Sequence, residues 1–260
     1  MTVRTYRIGQ IVPSSNTTME TEVPAFLNRY AAAKGGIDFT FHSSRMRMKH
    51  VVVEELAAMD CDSHRCAAEL ADSPIDVAGY ACLVAIMAMG KGYHRVSEET
   101  LEKIAAAEGT VYPVVTSAGA LCAELKQAGL TKVSLLMPYA DALSQIVVDY
   151  VEAEGIEVID WINFSVTDNK EVGRIPGQRL LTALDRLKTE GADAVVLSAC
   201  VQMPSIDALD AARAKLGLPV TSTAECTARA MLRKLGLEVP VIGAAENPFS
   251  ATLELEGVVA

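Results

Sequence analysis

The chain has 260 residues, half of them hydrophobic and 5% aromatic, and a formal net charge of -10 at pH 7. Such a length holds two α/β units of about 100 to 150 residues each, and apolar content drawn mainly from Ala, Val, Leu, Ile and Met suits helices layered on parallel sheets. The charge excludes a global basic face for nucleic acid or an anionic membrane, and the longest apolar run, Val77 to Met89, is too short to span a bilayer.

The N-terminus has too short an apolar run for a signal peptide, and the six cysteines lack the density of a disulfide-stapled secreted domain. A cytoplasmic protein with reduced thiols is expected. Arg7 to Val12 reads as a first strand, closed by Pro13 and Ser14. Thr17 and Glu20 have capping-box spacing and predict a helix running to about Ala33. After Gly35 and Gly36, Ile37 to His42 reads as a second strand.

Ser43 to His50, SSRMRMKH, is cationic in an acidic chain; it reads as a solvated loop or as a mobile lid that meets an anionic ligand. A helix is predicted over Val51 to Asp72. Within it Cys61 and Cys66 flank His64, but their spacing puts the thiols on different helical faces, so packing rather than metal binding is expected.

The next stretch, Asp76 to Met87, is DVAGYACLVAIM: a leading Asp, a short apolar strand, then Ala-Cys, with Cys82 at the strand's carboxyl end. Gly90, Lys91 and Gly92 lack the rest of a phosphate-binding loop, and a helix follows over Ser97 to Glu108. Thr110 to Val115 is the fourth strand, with a helix from Thr116-Ser117 that contains Cys122 as a core thiol.

From Lys132 the pattern begins again. Lys132 to Met137 is a strand ending in Pro138-Tyr139, followed by a helix to Glu154 and a strand over Glu157 to Phe164. A polar loop, SVTDNKEVGRIPG, stands where the first half has its suspected lid, and a helix over Gln178 to Glu190 follows. Asp193 to Pro204, DAVVLSACVQMP, repeats the leading Asp and the Ala-Cys, placing Cys200 118 residues after Cys82. Pro219 to Leu237 echoes Val114 to Leu130, with Ser222 and Glu225 as a second capping box.

Offsets between matching positions stay between 105 and 125 residues, the signature of an internal repeat of four strand-helix units. Val239 onward has no partner in the repeat and is expected to add an edge strand or a tail. The expected fold is therefore α/β, with two pseudo-symmetric Rossmann-like halves. Each half is a mainly parallel four-stranded sheet flanked by helices, with the site in the cleft between them. The halves are drawn as residues 1–117 with about 223–260, carrying Cys82, and 118–222, carrying Cys200.

A duplicated α/β chain with Cys after the third strand of each half resembles the Asp/Glu racemase superfamily. The segments VPSSNTTME, VAGYAC, VTSAGA, PYADAL and LSACVQMPS are similar to those of the maleate cis-trans isomerases within it. Racemases of the superfamily usually follow the first Cys with Asn-Thr, where this chain has Leu83-Val84. The resemblance implies a cofactor-independent, usually dimeric enzyme acting on a small dicarboxylate. It implies Cys82 as nucleophile and Cys200 as acid/base partner. Asn16, Tyr139 and Asn169 would hold the substrate carboxylates with the backbone N-H groups of Leu83, Val84, Val201 and Gln202. The SSN, PY and two TS loops are expected to converge there.

The chemistry agrees with these residue types. A cis double bond becomes trans only if it is briefly single; a thiolate adds to an alkene carbon and leaves again readily, so no cofactor is needed. An ordinary thiol is mostly protonated at neutral pH, so activation of Cys82 by helix N-terminal dipoles is expected. Two readings compete: an amino-acid or hydantoin racemase with opposed thiols as acid and base, and a non-catalytic small-ligand binding protein.

Overall fold

A computed structural model describes residues 3–250; residues 251–260, assigned above to the first half, lie outside the described residues. Among the described residues, eight strands form two separate four-stranded, wholly parallel sheets of matching order. The first has the order β2-β1-β3-β4, with β1 Arg4–Pro13, β2 Ile37–Met46, β3 Val77–Tyr80 and β4 Val114–Thr116. The second has the order β6-β5-β7-β8, with β5 Lys132–Met137, β6 Glu157–Asn163, β7 Ala194–Ser198 and β8 Val220–Ser222. Strands β3 and β7 are buried throughout, as strands covered on both faces must be.

The Asp that leads each cysteine strand ties it to its neighbour. Asp76 accepts from the Arg7 N-H of β1 at 2.7 Å, and Asp193 accepts from the Thr131 and Lys132 N-H groups at the start of β5, both at 2.9 Å. Each carboxylate satisfies strand-end donors that would otherwise point at solvent. Small residues on the strands let helices sit close. A Cβ on Gly79 would meet Met19 and Met231 at 3.2 Å, which puts α1 (Met19–Lys34) and α10 (Thr223–Lys234) on one face of the first sheet. A Cβ on Gly9, which pairs with Ala78, would meet Leu70 of α2 (Val53–Ala71) on the opposite face.

Helix α10 follows β8 of the second sheet in sequence, yet it packs on α1, β3 and α5 (Ser117–Gln127). A second tie between the halves is made by α3 (Leu83–Ala88), which packs on α6 (Asp141–Ala153). The remaining helices are α4 (Tyr93–Ala107), α7 (Asn169–Val172), α8 (Gly177–Ala183) and α9 (Ile206–Leu216). No helix among the described residues is long and apolar enough to cross a membrane.

Several boundaries differ from expectation. Strand β2 runs on to Met46, because β1 is long enough to pair with it as far as Pro13, so the first half of the suspected lid is strand. The expected Thr17-Glu20 capping box does not form. Helix α1 begins at Met19, whose N-H is capped by the Asn16 side chain at 3.0 Å, while Glu20 pairs with Arg45. Residues 83–88, to which the sequence pattern assigns no element, are the helix α3. The segment from Val239 makes no edge strand; Val239, Ile242 and Phe249 are buried, with Phe249 packing on Phe26 and Tyr30 of α1.

Candidate active site

Cys82 and Cys200 each stand two residues past the end of a third strand, β3 and β7, at the carboxyl edge of their sheets. Cys82 has φ 139° and ψ 82°, a conformation that side-chain-bearing residues rarely adopt, and is the N-cap of α3. The chain has to turn from strand to helix within two residues, and this sharp turn thrusts the thiol out of the sheet edge. The same construction exposes the nucleophile in hydrolases with a strand-turn-helix elbow.

Both thiols line one small pocket, Cys200 buried and Cys82 partly exposed, with room for about one water molecule. Asn16, Val84, Tyr139, Asn169, Val201 and Gln202 line it with them. Of the residues expected from sequence, Leu83 does not reach it: it is buried in α3 and contributes no lining. The TS loops do not converge there either. Thr116 bonds Glu98 and caps Gly119, Thr223 donates to the Ser198 carbonyl, and Ser222 accepts from the Glu225 N-H as the cap of α10. The Glu225 carboxylate goes to Arg229 and Arg213 instead of closing a capping box.

Charge around the thiols follows from burial. Desolvation pushes the Cys82 thiol up to about 12, with the nearby Cys200 and Asp60 adding to the rise and the Ala85 N-H in the first turn of α3 opposing it. The expected dipolar activation is therefore outweighed by burial. Cys200 is also raised by desolvation, against the Tyr139 hydroxyl and the N-H groups of Gln202 and Met203, which favour the thiolate. The Tyr139 hydroxyl donates to the Ala199 carbonyl at 3.2 Å, which fixes the ring beside Cys200. Behind Cys82, the buried Asp60 accepts from the hydroxyls of Tyr80 at 3.3 Å and Tyr93 at 2.6 Å.

The amides are held by a network linking both halves. The Asn16 Oδ1 accepts from the Met19 N-H, so its Nδ2 is left to donate to a ligand. The Asn169 Nδ2 donates to Ser15 Oγ at 2.8 Å. Gln202, expected only as a backbone donor, uses its side chain as a strut: Nε2 donates to the carbonyls of Ser15 at 3.1 Å and Asn169 at 2.8 Å. Its Oε1 accepts from the Thr18 N-H at 3.4 Å, and its carbonyl accepts from the Thr18 hydroxyl at 2.8 Å.

Met48, inside the suspected lid, and Val51, which sequence reasoning left outside it, are buried and form the apolar roof of the pocket. Their segment is fastened to the second half by the Val51 N-H, which donates to the Thr167 carbonyl at 3.3 Å, and by a bridge between His50 and Asp168. Arg45 is occupied locally, with Glu20 and the carbonyls of Ser14 and Asn16, and does not point at the thiols' pocket.

Two matched parallel sheets, each delivering a cysteine to a shared pocket, define an α/β protein of the Asp/Glu racemase-like fold. The chain belongs to the arylmalonate decarboxylase family, whose model matches residues 8–246, and within it to the maleate isomerases. Maleate isomerase of Alcaligenes faecalis is 55% identical over 92% of this chain and 94% of its own length. A cysteine-to-alanine form of the maleate isomerase Iso from Pseudomonas putida S16, solved with maleate, superposes with TM-score 0.90 at 47% identity, covering 95% of this chain and 99% of that one. A cysteine-to-serine mutant of Nocardia farcinica maleate cis-trans isomerase, solved with a covalently bound succinylcysteine intermediate, gives TM-score 0.87 at 44% identity over 92% of this chain and 96% of that one.

Proposed function

We propose that this chain catalyses the cofactor-independent cis-trans isomerisation of maleate to fumarate, with Cys82 as nucleophile and Cys200 as general acid/base. The observation that carries the reading is the pairing of two thiols from equivalent strand ends in one small pocket with Tyr139, Asn16 and Asn169. Maleate bound to one close relative and a succinylcysteine intermediate in another support it.

In this reading the Cys82 thiolate adds to one alkene carbon, and the displaced π pair moves toward the neighbouring carbon and its carboxylate. The Cys200 thiol gives that carbon a proton, leaving a succinyl thioether on Cys82. Rotation about the new single bond follows. Cys200 takes the proton back, the carbon-sulfur bond breaks, and the pair returns to Cys82 as the trans double bond forms. Donors aimed at the developing carboxylate charge, Asn16 Nδ2 and the N-H groups of Val84, Val201 and Gln202, contribute about 2.7 to 4 kcal/mol each on the oxyanion-hole precedent.

The pocket is too small for a dicarboxylate as it stands, so residues 47–52 open to admit substrate and then close over it, excluding water. The segment's few ties to the second half support such motion. We further assign residues 1–117 with about 223–260 to one domain and 118–222 to the other; the packing of α10 on α1 and β3 supports the crossing. A homodimer in the cytoplasm completes the proposal. The half-exposed apolar edge of β6, with Trp161 and Ile162, supports a partner surface.

Incubating the purified protein with maleate and following the alkene protons by NMR tests the activity. Conversion of maleate to fumarate is expected. Unchanged maleate, or racemisation of aspartate or glutamate in its place, would refute it.

A further inference from the structure

A second cavity, of about 610 Å³, lies directly outside the roof of the pocket, and Met48 lines both. We propose that it is a docking vestibule for small dianions, in which the substrate's carboxylates are held before residues 47–52 open. This inference rests on the dicarboxylate reading above.

Five permanent cations line the cavity, Arg45, Arg47, Lys49, Arg65 and Lys170, against two carboxylates, Asp62 and Asp168. Both carboxylates are already engaged. Asp62 accepts from Arg65 and from the Arg47 N-H, and Asp168 accepts from the Lys170 and Glu171 N-H groups as the cap of α7. Arg45 is neutralised by Glu20, Arg65 by Asp62 and Glu69, and His50 pairs with Glu55.

Arg47, Lys49 and Lys170 are different: among the described residues none of their side chains has a carboxylate partner. Three unpaired cations on one cavity are unexpected in a chain of net charge -10. Their placement is also ordered. The segment alternates, with Met48 buried and Arg47 and Lys49 exposed, so the apolar side chain that seals the pocket is flanked on its outer side by two positive charges. Lys170 follows Asn169, the pocket amide of the other half. A dianion with carboxylates on the same side of a short carbon frame meets cations from both halves at the point where the roof must part.

The roof is held shut by a reciprocal pair: the Met48 N-H donates to Ser14 Oγ at 3.1 Å, and that hydroxyl donates to the Met48 carbonyl at 3.2 Å. Ser14 also lines the vestibule, so an anion seated there competes for its hydroxyl proton and weakens the latch. The global field of the protein repels a dianion, so a local positive mouth is what brings one to the site.

The test combines Arg47→Met, Lys49→Met and Lys170→Met, which keep the stems and remove the charges. An exposed charge contact changes affinity by roughly 1.4- to 5-fold, so KM for maleate is expected to rise about tenfold, more than any change in kcat. The wild-type kcat/KM should fall between about 0.02 and 0.3 M NaCl, as the screening length shrinks and the local attraction is lost, whereas in the triple variant it should rise, because only the repulsion of the acidic chain remains to be screened. A KM within twofold of wild type, a wild-type profile flat in salt, or a loss confined to kcat would overturn the vestibule. If neither protein turns maleate over, the activity reading fails, and succinate binding by calorimetry decides separately. Weaker binding by the triple variant upholds the vestibule, and equal binding overturns it.

Discussion

The backbone of Cys82 makes a sharp prediction about stability that is independent of catalysis. Its φ of 139° and ψ of 82° lie outside the regions open to a residue with a Cβ, which costs of order 1–3 kcal/mol in the folded state. Glycine relieves that cost but makes the unfolded chain more flexible, giving back about 0.4–1 kcal/mol. Cys82→Gly should therefore be more stable than Cys82→Ala by about 1 kcal/mol, although alanine fills more of the pocket. In a domain of this size that corresponds to a Tm roughly 2–4 °C higher. Neither variant can form a carbon-sulfur bond at this position, so the comparison isolates the backbone. Urea midpoints with equal slopes, alongside calorimetric Tm values, measure it. An alanine variant more stable than the glycine one would refute the claim that the nucleophile is held in a strained turn.

Two other perturbations address the site's construction and its protons. Gln202→Leu leaves the Ser15 and Asn169 carbonyls and the Thr18 N-H without their side-chain partner. At about 1 kcal/mol per lost hydrogen bond the fold should lose about 2–3 kcal/mol, and kcat/KM should fall by at least tenfold as Asn16 and Asn169 lose their register. Gln202→Glu should be worse, because it turns a carboxylate toward two carbonyl oxygens; unchanged Tm and kcat/KM in both would dismiss the strut. Since the thiolate is the reactive form and burial raises the Cys82 thiol to about 12, kcat/KM should climb with pH from 6.5 through 9, nearly tenfold per unit. A plateau already reached at pH 7 would contradict this direction.

Local signals carried much of this architecture. The DVAGYAC and DAVVLSAC segments placed each cysteine after a short buried strand, and strand β5 runs over Lys132–Met137 as its pattern predicts. The leading Asp of each segment was visible as a repeat, though its purpose, satisfying strand-end N-H groups of a neighbour, emerges only when β1 and β5 lie alongside. Strand β2 is longer than its sequence suggests: Ser43-Ser44-Arg45 is polar, yet Ser44 and Met46 alternate inward with period two, a signal that the charge of the segment obscures. What sequence could not supply was long-range. The Gln202 side chain reaches residues 184 and 187 positions away, and no local pattern announces such a strut. The surroundings of Cys82 are non-local in the same way, since an N-terminal helix dipole is legible in the sequence whereas desolvation by segments distant in the chain is not.

The division of labour between the thiols is tested most directly by peptide mapping of Cys200→Ala after incubation with maleate. Without Cys200, water can still protonate the carbanion but cannot remove the resulting C-H proton, so the adduct should form slowly and accumulate, and mass spectrometry should find a succinyl thioether on the peptide carrying Cys82. Cys82→Ala should carry none. A succinyl group found on Cys200 in the Cys82→Ala protein, with Cys82 unmodified in the Cys200→Ala protein, would reverse the roles assigned here.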